Sequence, residues 1–404
     1  MKSYGLESYW PKSGQSFWDI RDPSFLVNIS WSRNYYTDYK NLSRSYAACG
    51  IKVFEEIVAS ERDNTKTDSW FLTGIFLVRQ AIELGLKALV CRIAESTPAI
   101  QSIFISSKHN LSVLLDYYSR GNETYLTTNE FTWLETYIDS LEAVDAKSDM
   151  FRFPFDEDFL MQYRDKFIDV VDVANNLIQA VNLLNKCIDK GAVTPGNEFD
   201  KSLMPDFFVF ANHGIGNCYL WQSFFDDGFH AKYTGCHDIA HLLFDECQDV
   251  SWKNKIYPLL FLLRNTIELC LKQILYIRVD NGVGKRIFQS KRFSHKIKKD
   301  LWKAVRPVIE YYARETNNDL SVIALVETQL YEIDSVDVSG DNFRYPTSYS
   351  MEYRIDNITV DVKNIFMYMM GIIEFLNGCT SMLSSIADYE AEMHYEMLSY
   401  CTYD

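Results

Sequence analysis

The stretch that decides the fold is Phe76-Leu-Val-Arg-Gln-Ala-Ile-Glu-Leu-Gly-Leu-Lys87, because it occurs twice. It returns as Phe261-Leu-Leu-Arg-Asn-Thr-Ile-Glu-Leu-Cys-Leu-Lys272, with eight of the twelve positions identical and no gap. Average residue usage would give roughly one match by chance. Self-similarity of this kind indicates an internal repeat. The chain of 404 residues is therefore predicted to contain two copies of one structural unit.

The similarity continues downstream of this stretch in the same order. His109 corresponds to His295, and the segment Asp145–Pro154 corresponds to Asp337–Pro346 at a constant offset of 192. Each copy is about 190 residues long, with a boundary near 193–197. The predicted regions are an aromatic-rich arm at 1–40, a first bundle at 41–192, and a second bundle at 193–404 with a basic insertion near 281–306.

Both copies are predicted to be helical. The chain has only 17 glycines and 9 prolines, so few residues interrupt its long stretches of helical apolar spacing. No run of alternating β-branched residues competes with this pattern. We therefore predict an all-α protein in which each copy has about five helices packed as an up-and-down bundle. The aromatic residues of the arm are expected to serve packing.

Each copy of the repeated stretch carries one narrow polar stripe on an otherwise apolar helix. With about 100° of rotation per residue, the four polar side chains of each copy fall within about 100° of arc around the helix axis. These side chains are Arg79, Gln80, Glu83 and Lys87 in the first copy, and Arg264, Asn265, Glu268 and Lys272 in the second. One interpretation is an Arg–Glu–Lys ladder on a solvated face. The other places the stripe in a cleft, for example between the copies, and its retention in both copies favours that interpretation.

An arginine followed two residues later by proline comes after an acidic stretch in each copy. The two arginines are Arg152 and Arg344. Because proline ends a preceding helix, each arginine is predicted to lie on a loop at a helix end. One interpretation is contact with a ligand, and the other is a salt bridge that ties the loop down. The candidate partners for the salt bridge are Asp145, Asp149, Asp337 and Asp341.

Charge is distributed unevenly along the chain. The formal net charge of −15 excludes attraction of the whole chain to nucleic acid or anionic lipid. Between Lys285 and Arg306, however, nine basic residues face a single acidic residue, Asp300, which gives a local charge of +8. Such a run is either a solvated helix face or a polyanion-binding surface. The candidate contacts with a polyanion are Lys291, Arg292, Lys296, Lys298 and Lys299.

Other features bear on the compartment and on cofactors. Nine scattered cysteines without a Cys-x-x-Cys pair indicate free thiols in a reducing cytoplasm. The longest uninterrupted apolar run is about eight residues, whereas a membrane span needs roughly twenty, so no membrane association is predicted. His237 and His241 have metal-ligand spacing, but no third ligand is evident. We therefore predict a cytoplasmic protein with no metal and no cofactor.

The order of these motifs resembles the HEPN superfamily of small helical bundles. The motifs are Arg-(Gln/Asn)-x-Ile-Glu-Leu-x-Leu-Lys, a downstream His-x-(Leu/Ile), and Asp-x-x-x-Asp-x-Phe-Arg-(Phe/Tyr)-Pro, and they cover most of each copy. The resemblance implies four- or five-helix bundles that work as a dimer, here an intramolecular pseudo-dimer formed by the two copies. It also implies either a bacterial toxin or antiphage ribonuclease, or a non-catalytic member that binds nucleotides or partners.

The chain departs from the ribonuclease motif of that superfamily at one position. The motif is Arg, a polar residue, three variable residues and His, whereas the fifth residue after each Arg is Leu84 or Leu269. Leucine cannot move a proton. The substitute proton carriers are predicted to be His109 and His295, provided that the next helix returns them to the arginines. The predicted catalytic residues are Arg79, Glu83, His109, Arg264, Glu268 and His295.

Two functions stay open on this evidence. The first is an effector that acts on RNA, including a metal-independent endoribonuclease of a toxin–antitoxin or antiviral-defence system, with the arginines stabilising phosphate charge. The second is a catalytically silent pseudo-dimer that binds RNA or a nucleotide, or scaffolds a protein partner from the same system. The missing motif histidines favour the second, and the duplicated polar residues favour the first. The predicted RNA or nucleotide contacts outside the basic run are Lys87, Arg152, Lys272 and Arg344.

Overall fold

The computed structural model describes residues 9–60, 63–121, 125–220, 226–246, 250–277 and 294–401. In these residues the chain is mostly helical and has only short strands, which confirms the predicted all-α class. Long stretches of good helix formers with few glycines and prolines account for the long helices. The internal duplication stays a prediction from the sequence.

The described residues contain twelve α-helices, which are numbered in chain order. They are α1 (Tyr35–Ala59), α2 (Phe71–Ile93), α3 (Thr97–Ser107), α4 (Leu111–Ser119), α5 (Thr128–Asp145), α6 (Glu157–Gln162), α7 (Val170–Ile188), α8 (Phe229–His241), α9 (Trp252–Ile277), α10 (Lys303–Glu315), α11 (Ser321–Val336) and α12 (Val362–Cys401). Short π-helical segments cover Lys66–Trp70, Leu242–Glu246 and Ile297–Trp302. The strands are β1 (Leu26–Ile29), β2 (Phe167–Ile168), β3 (Phe210–Ala211) and β4 (Ile358–Asp361), of which β2 and β3 pair antiparallel.

The chain divides into two compact units, each assembled from separate segments. The α2 unit consists of Val27–Leu262 and Asn342–Thr359. The α12 unit consists of Met1–Leu26, Leu263–Asp341 and Val360–Asp404. The first copy of the repeated stretch thus lies in the α2 unit, and most of the second copy lies in the α12 unit.

Helix α2 forms the core of the α2 unit. Every residue from Phe71 to Val90 is buried, as expected for a helix that is apolar on almost all sides. Helices α1, α4, α7 and α8 pack around it. Gly50 allows α1 to approach α2 closely, because a Cβ atom at this position would lie 2.5 Å from Val78 Cγ2. Because every residue from Phe71 to Val90 is buried, the polar stripe of α2 lies inside the unit.

The α12 unit is built from the second part of α9 together with α10, α11 and α12. All residues of α9 from Leu263 to Lys272 are buried. Helices α10 and α11 pack on the π-helical segment Ile297–Trp302, and α11 also packs on α12. The aromatic arm contributes Tyr9 and Phe17, whose buried rings make edge-on contacts with aromatic rings of α12. These contacts agree with the packing role predicted for the arm.

Helix α12 bears on the expectation that the chain has no membrane span. Within it, Val362–Met397 is long and apolar enough to cross a membrane by length and composition, and 61% of its most apolar window is buried in the protein. Core helices of soluble proteins meet the same two conditions. Counting uninterrupted apolar residues missed this helix, because Asn, Glu and Gly interrupt its apolar run. Helix length and composition therefore leave membrane association open.

Candidate functional site

Three charged side chains of each stripe are buried, one helical turn apart. On α2, Arg79, Glu83 and Lys87 expose 0%, 0% and 3% of their surface. Charges buried to this extent are almost always paired. The equivalent side chains on α9 are equally buried; they are Arg264, Glu268 and Lys272. The interpretation as a solvated ladder is therefore wrong, since each stripe lies in the interior of its own unit.

A carboxylate lies at the centre of each stripe. Arg79 Nη1 donates to Glu83 Oε2 at 2.5 Å, and Lys87 Nζ donates to Glu83 Oε1 at 2.7 Å. In the second copy, Glu268 lies 2.5 Å from the guanidinium and 2.8 Å from Lys272 Nζ. Burial by itself would raise the carboxyl pKa, but the adjacent cations hold the pKa of both glutamates well below its usual range. Both glutamates are therefore anions.

The structure returns each predicted histidine to its arginine. Asn110 caps α4, and the residue before it, His109, accepts a hydrogen bond from Arg79 Nη2 at its carbonyl oxygen, at 2.9 Å. The imidazole Nδ1 of His109 lies 3.2 Å from Glu83 Oε1. In the second copy, His295 O accepts from the equivalent guanidinium at 2.5 Å, and His295 Nδ1 lies 2.9 Å from the carboxylate. We call Arg79, Glu83, Lys87 and His109 the first site, and Arg264, Glu268, Lys272 and His295 the second site.

The histidines are the solvent-accessible members of the two sites. Their side chains expose 27% and 33% of their surface for His109 and His295, whereas the charged residues of the stripes expose 3% or less. A carboxylate at Nδ1 fixes the orientation of an imidazole ring and favours proton exchange at Nε2. Each site thus presents one oriented imidazole at the surface above a buried ion network.

Each arginine also lies against an aspartate that the sequence indicated only as a salt-bridge partner of the loop arginine. Arg79 Nε lies 3.4 Å from Asp145 Oδ2, and Arg264 Nε lies 3.5 Å from Asp337 Oδ2. The other oxygen of each aspartate accepts backbone N–H groups of the following loop, such as Gly340 N at 2.9 Å from Asp337 Oδ1. The correspondence between the two aspartates was the sequence signal for this role.

Tyr345 completes the first site, although it belongs to the second copy of the repeat. Its hydroxyl donates to Glu83 Oε1 at 2.8 Å and lies 3.2 Å from His109 Nδ1. The ammonium of Lys87 lies 4.3 Å from the centre of the Tyr345 ring. Tyr345 stands on the segment Asn342–Thr359, which folds into the α2 unit. Tyr345 lies in the Phe-Arg-(Phe/Tyr)-Pro motif, where it corresponds to Phe153, but the motif did not indicate a contact with the first site.

The two predicted loop arginines are buried and held by protein groups. Arg344 exposes 2% of its surface, and its Nη2 donates to Gln80 Oε1 at 2.9 Å and to Ser148 Oγ at 3.1 Å. Arg152 exposes 4%, and its Nη1 lies 3.7 Å from Asp149 Oδ1. For Arg152 the contact is the salt bridge proposed as an alternative to ligand binding. For Arg344, hydrogen bonds to Gln80 and Ser148 tie the loop down.

A second acid lies beside the first site. Glu142 on α5 accepts a hydrogen bond at Oε1 from Leu111 N, the first residue of α4, at 2.8 Å. The same oxygen is 3.9 Å from Arg79 Nη2, and the side chain is 10% exposed. Burial is the main reason that the pKa of Glu142 is raised to about 7, while the hydrogen bond to Leu111 and the charge of Arg79 oppose the shift. The pKa of Glu142 therefore lies near neutrality, next to Arg79 of the first site.

His295 lies within the basic run, between Arg292 and Lys296. Lys291 and Arg292 lie outside the described residues. Lys296, Lys298 and Lys299 are exposed, and the last two stand on the π-helical segment Ile297–Trp302, whose apolar residues are buried. The buried apolar residues of this segment thus hold the lysines next to the second site in exposed positions.

The paired histidines of α8 are each held by a carboxylate. His237 Nδ1 lies 2.9 Å from Asp238 Oδ1, and His241 Nδ1 lies 3.5 Å from Asp245 Oδ2. The part of the chain that the structure describes contains no group of three or more His, Cys, Asp or Glu side chains placed to hold a metal ion.

Comparison with known proteins adds no functional assignment. No family model, curated protein or solved structure matches the chain. The likeness to the HEPN superfamily therefore rests on the residues and their order.

Proposed function

We propose that the chain is a HEPN-like protein that acts on RNA in a toxin or antiphage-defence system of the cytoplasm, and that it cleaves RNA without a metal. In this proposal a histidine takes the proton of a 2′-hydroxyl, and the 2′-oxygen attacks the adjacent phosphorus. The bond from phosphorus to the 5′-oxygen breaks, and this oxygen receives a proton. The products are a 2′,3′-cyclic phosphate and a 5′-hydroxyl.

The observation that carries the proposal is the buried glutamate paired with a partly exposed histidine in both sites. The Glu83–His109 and Glu268–His295 pairs have the same atoms in contact and the same Arg bond to the histidine carbonyl. In hydrolase triads a buried carboxylate performs the same task, since it orients the imidazole and stabilises its protonated form. A purely structural ion network has no need of an accessible imidazole.

We assign Arg79 and Arg264 to positioning rather than to contact with phosphate. Both guanidinium groups are buried, and their nitrogens point at carboxylate and carbonyl oxygens of their own units. The predicted phosphate contacts then fall to the exposed lysines that follow His295.

The burial of these arginines also favours the alternative, a protein that binds RNA without cleaving it. Within the described residues of the two sites, the accessible polar side chain is a histidine, which can donate a hydrogen bond to a phosphate as well as move a proton. Binding without chemistry would use the same histidines and lysines.

The test is RNA cleavage by purified protein with and without EDTA, and by the His109→Ala, His295→Ala double variant. We expect cleavage to survive EDTA and to fall at least about 100-fold in the double variant, because general acid–base groups contribute about 10²–10⁴-fold. His213→Ala, an exposed histidine outside both sites, is the matched control and should retain full activity.

Three outcomes would change the proposal. Full activity in a double variant that is folded by circular dichroism rejects the histidine mechanism. Wild-type protein that binds RNA but leaves it intact supports the binding-only alternative. Loss of cleavage on adding EDTA indicates a metal, and His237 and His241 would be the first residues to substitute.

A further inference from the structure

We infer that the two sites have different roles. His295 of the second site transfers the proton in the cleavage reaction. Tyr345 makes the first site a cluster whose side chains are held in place. This inference rests on the proposed function. It assigns Tyr345 as a positioning residue and gives the two copies unequal parts in a reaction that the repeat alone would divide equally.

In the first site, three donors converge on one carboxylate oxygen. Glu83 Oε1 lies 2.7 Å from Lys87 Nζ, 2.8 Å from the Tyr345 hydroxyl and 3.2 Å from His109 Nδ1. A carboxylate oxygen has about two lone-pair directions, so three donors compete for them. The contact with His109 is the longest of the three, and the phenol also lies against the same ring nitrogen. The imidazole of the first site is thus oriented by a shared and weakened bond.

In the second site, the carboxylate holds its histidine more closely. His295 Nδ1 is 2.9 Å from Glu268 Oε1, which is 0.3 Å shorter than the equivalent distance in the first site. Charge-assisted hydrogen bonds of this length are the strong ones. The geometry of a carboxylate–imidazole pair is therefore better developed at His295.

The surroundings of the two histidines also differ in charge. His295 is followed within four residues by three exposed lysines, whereas His109 is followed by a helix start that is held by acidic side chains of α5. Leu111 N donates to Glu142, and Ser112 Oγ donates to Asp139. Three exposed lysines attract a polyanion to His295, whereas His109 has one exposed lysine beside it, Lys108, together with the acidic side chains of α5. RNA is therefore expected to reach His295 and to avoid His109.

The experiment compares the single variants in cleavage, in thermal stability and in chemical protection. We expect His295→Ala to lose at least about 100-fold in cleavage rate and His109→Ala to lose less than about tenfold. Tyr345→Phe should lower the melting temperature, because it removes a hydrogen bond to the buried carboxylate of Glu83. Tyr353→Phe is the matched control for stability. It also removes a phenol hydroxyl that donates to a buried carboxylate, that of Asp38.

A single-stranded RNA oligonucleotide should protect His295, but not His109, from carbethoxylation by diethylpyrocarbonate, measured by peptide mass spectrometry.

The outcomes separate this inference from the function on which it rests. Equal losses in the two single variants, or equal protection of both histidines, overturn unequal roles while leaving RNA cleavage intact. A larger loss in His109→Ala overturns the assignment of His295. Cleavage without either histidine, or no RNA binding at all, overturns the proposed function and the inference with it. In a protein that binds RNA without cutting it, the pattern of protection still decides which histidine the RNA contacts.

Discussion

At the scale of single residues, the two buried arginines connect parts of the chain that are distant in sequence. Arg79 bonds to Glu83 in its own helix, to the carbonyl of His109 before α4, and to the carbonyl of Asp145 at the end of α5. Arg264 makes equivalent contacts with Glu268 and with the carbonyl of His295. Because one guanidinium fixes three elements, its loss should destabilise the unit and also release the histidine.

Replacing Arg264 with Ala should lower the free energy of unfolding by about 3–5 kcal/mol. This is the range for removing one partner of a buried ion pair, because the other charge is left uncompensated in the interior. The measurement is urea unfolding followed by circular dichroism. Arg120→Ala is the matched control: it removes an arginine paired with a carboxylate four residues away, at an exposed position, and should change stability little. A loss at position 264 as small as that of the control would contradict a buried ion network.

Glu142 should make stability depend on pH between about 5 and 7. The folded-state pKa of about 7 lies above the usual value near 4.3, so the folded protein holds a proton that the unfolded chain has lost. Stability from this group is therefore present at low pH and lost as the pH rises toward 7. In Glu142→Gln the melting temperature should fall less than in the wild type over this range.

The control for this pH dependence is Glu135→Gln, on the exposed face of the same helix, which should reproduce the wild-type profile. Parallel profiles for Glu142→Gln and the wild type would show that the carboxyl group at position 142 titrates at its ordinary pKa.

The sequence predicted which residues form the two sites, but it did not predict that their charged side chains are buried. Spacing placed Arg79, Glu83 and Lys87 on one face of a helix, and the repeat indicated His109. Their burial could not be predicted, because a narrow polar stripe looks the same whether it faces water or a buried carboxylate. The contact of Tyr345 with His109 could not be predicted, because the two residues are more than 230 positions apart in sequence and meet only in the folded protein.

At the scale of elements, close helix packing depends on residues without a side chain. A Cβ atom on Gly235 of α8 would lie against the carbonyl oxygen of Ser69, well inside van der Waals contact, and 2.5 Å from Thr73 Oγ1. Backbone cannot move aside as a flexible side chain can. Gly235→Ala should therefore cost about 1–3 kcal/mol of stability, the range for overpacking a core.

The control for Gly235→Ala is Gly378→Ala in α12, where nothing lies within 4 Å of the added atom. Alanine forms helices better than glycine by up to about 1 kcal/mol, so this control should be neutral or stabilising. Thermal unfolding of the two variants separates a packing effect from a general effect of glycine. Equal stability of both variants would disprove the close approach of α8.

Helix existence was easier to predict than helix limits. The helix that carries the second copy of the repeated stretch is α9, Trp252–Ile277, which contains Pro258 in its second turn. Proline cannot donate to the carbonyl four residues before it, Asn254 O, and the thiol of Cys49 lies 4.0 Å from this oxygen. A tertiary contact thus accompanies a helix start that local sequence disfavours. The helix α1 likewise begins at Tyr35 inside the predicted arm, because Asn34 caps it.

At the scale of the whole molecule, the unusual property is a local positive charge in an acidic chain. The described exposed members of the basic run are Lys296, Lys298, Lys299 and Lys303, while Arg306 is paired with Glu310 and Glu327. Their concentration was visible in the sequence. The division of the chain into discontinuous units was not, since it depends on where the segment Asn342–Thr359 folds.

Reversing the charge of Lys296, Lys298 and Lys299 to Glu should weaken RNA binding and reduce its dependence on salt. Each lysine that contacts a phosphate releases counterions from single-stranded RNA, and the slope of log affinity against log salt changes by about 0.7 per contact. If all three lysines contact the backbone, the slope should fall by about 2. The measurement is fluorescence anisotropy of a labelled oligonucleotide at several salt concentrations.

The control variant reverses the charge of three exposed lysines elsewhere in the chain, Lys147, Lys190 and Lys201. It makes the same change in net charge, so a general electrostatic effect would lower the affinity of both variants alike. An equal loss of affinity, or an unchanged salt slope, would mean that the basic run is an ordinary solvated face.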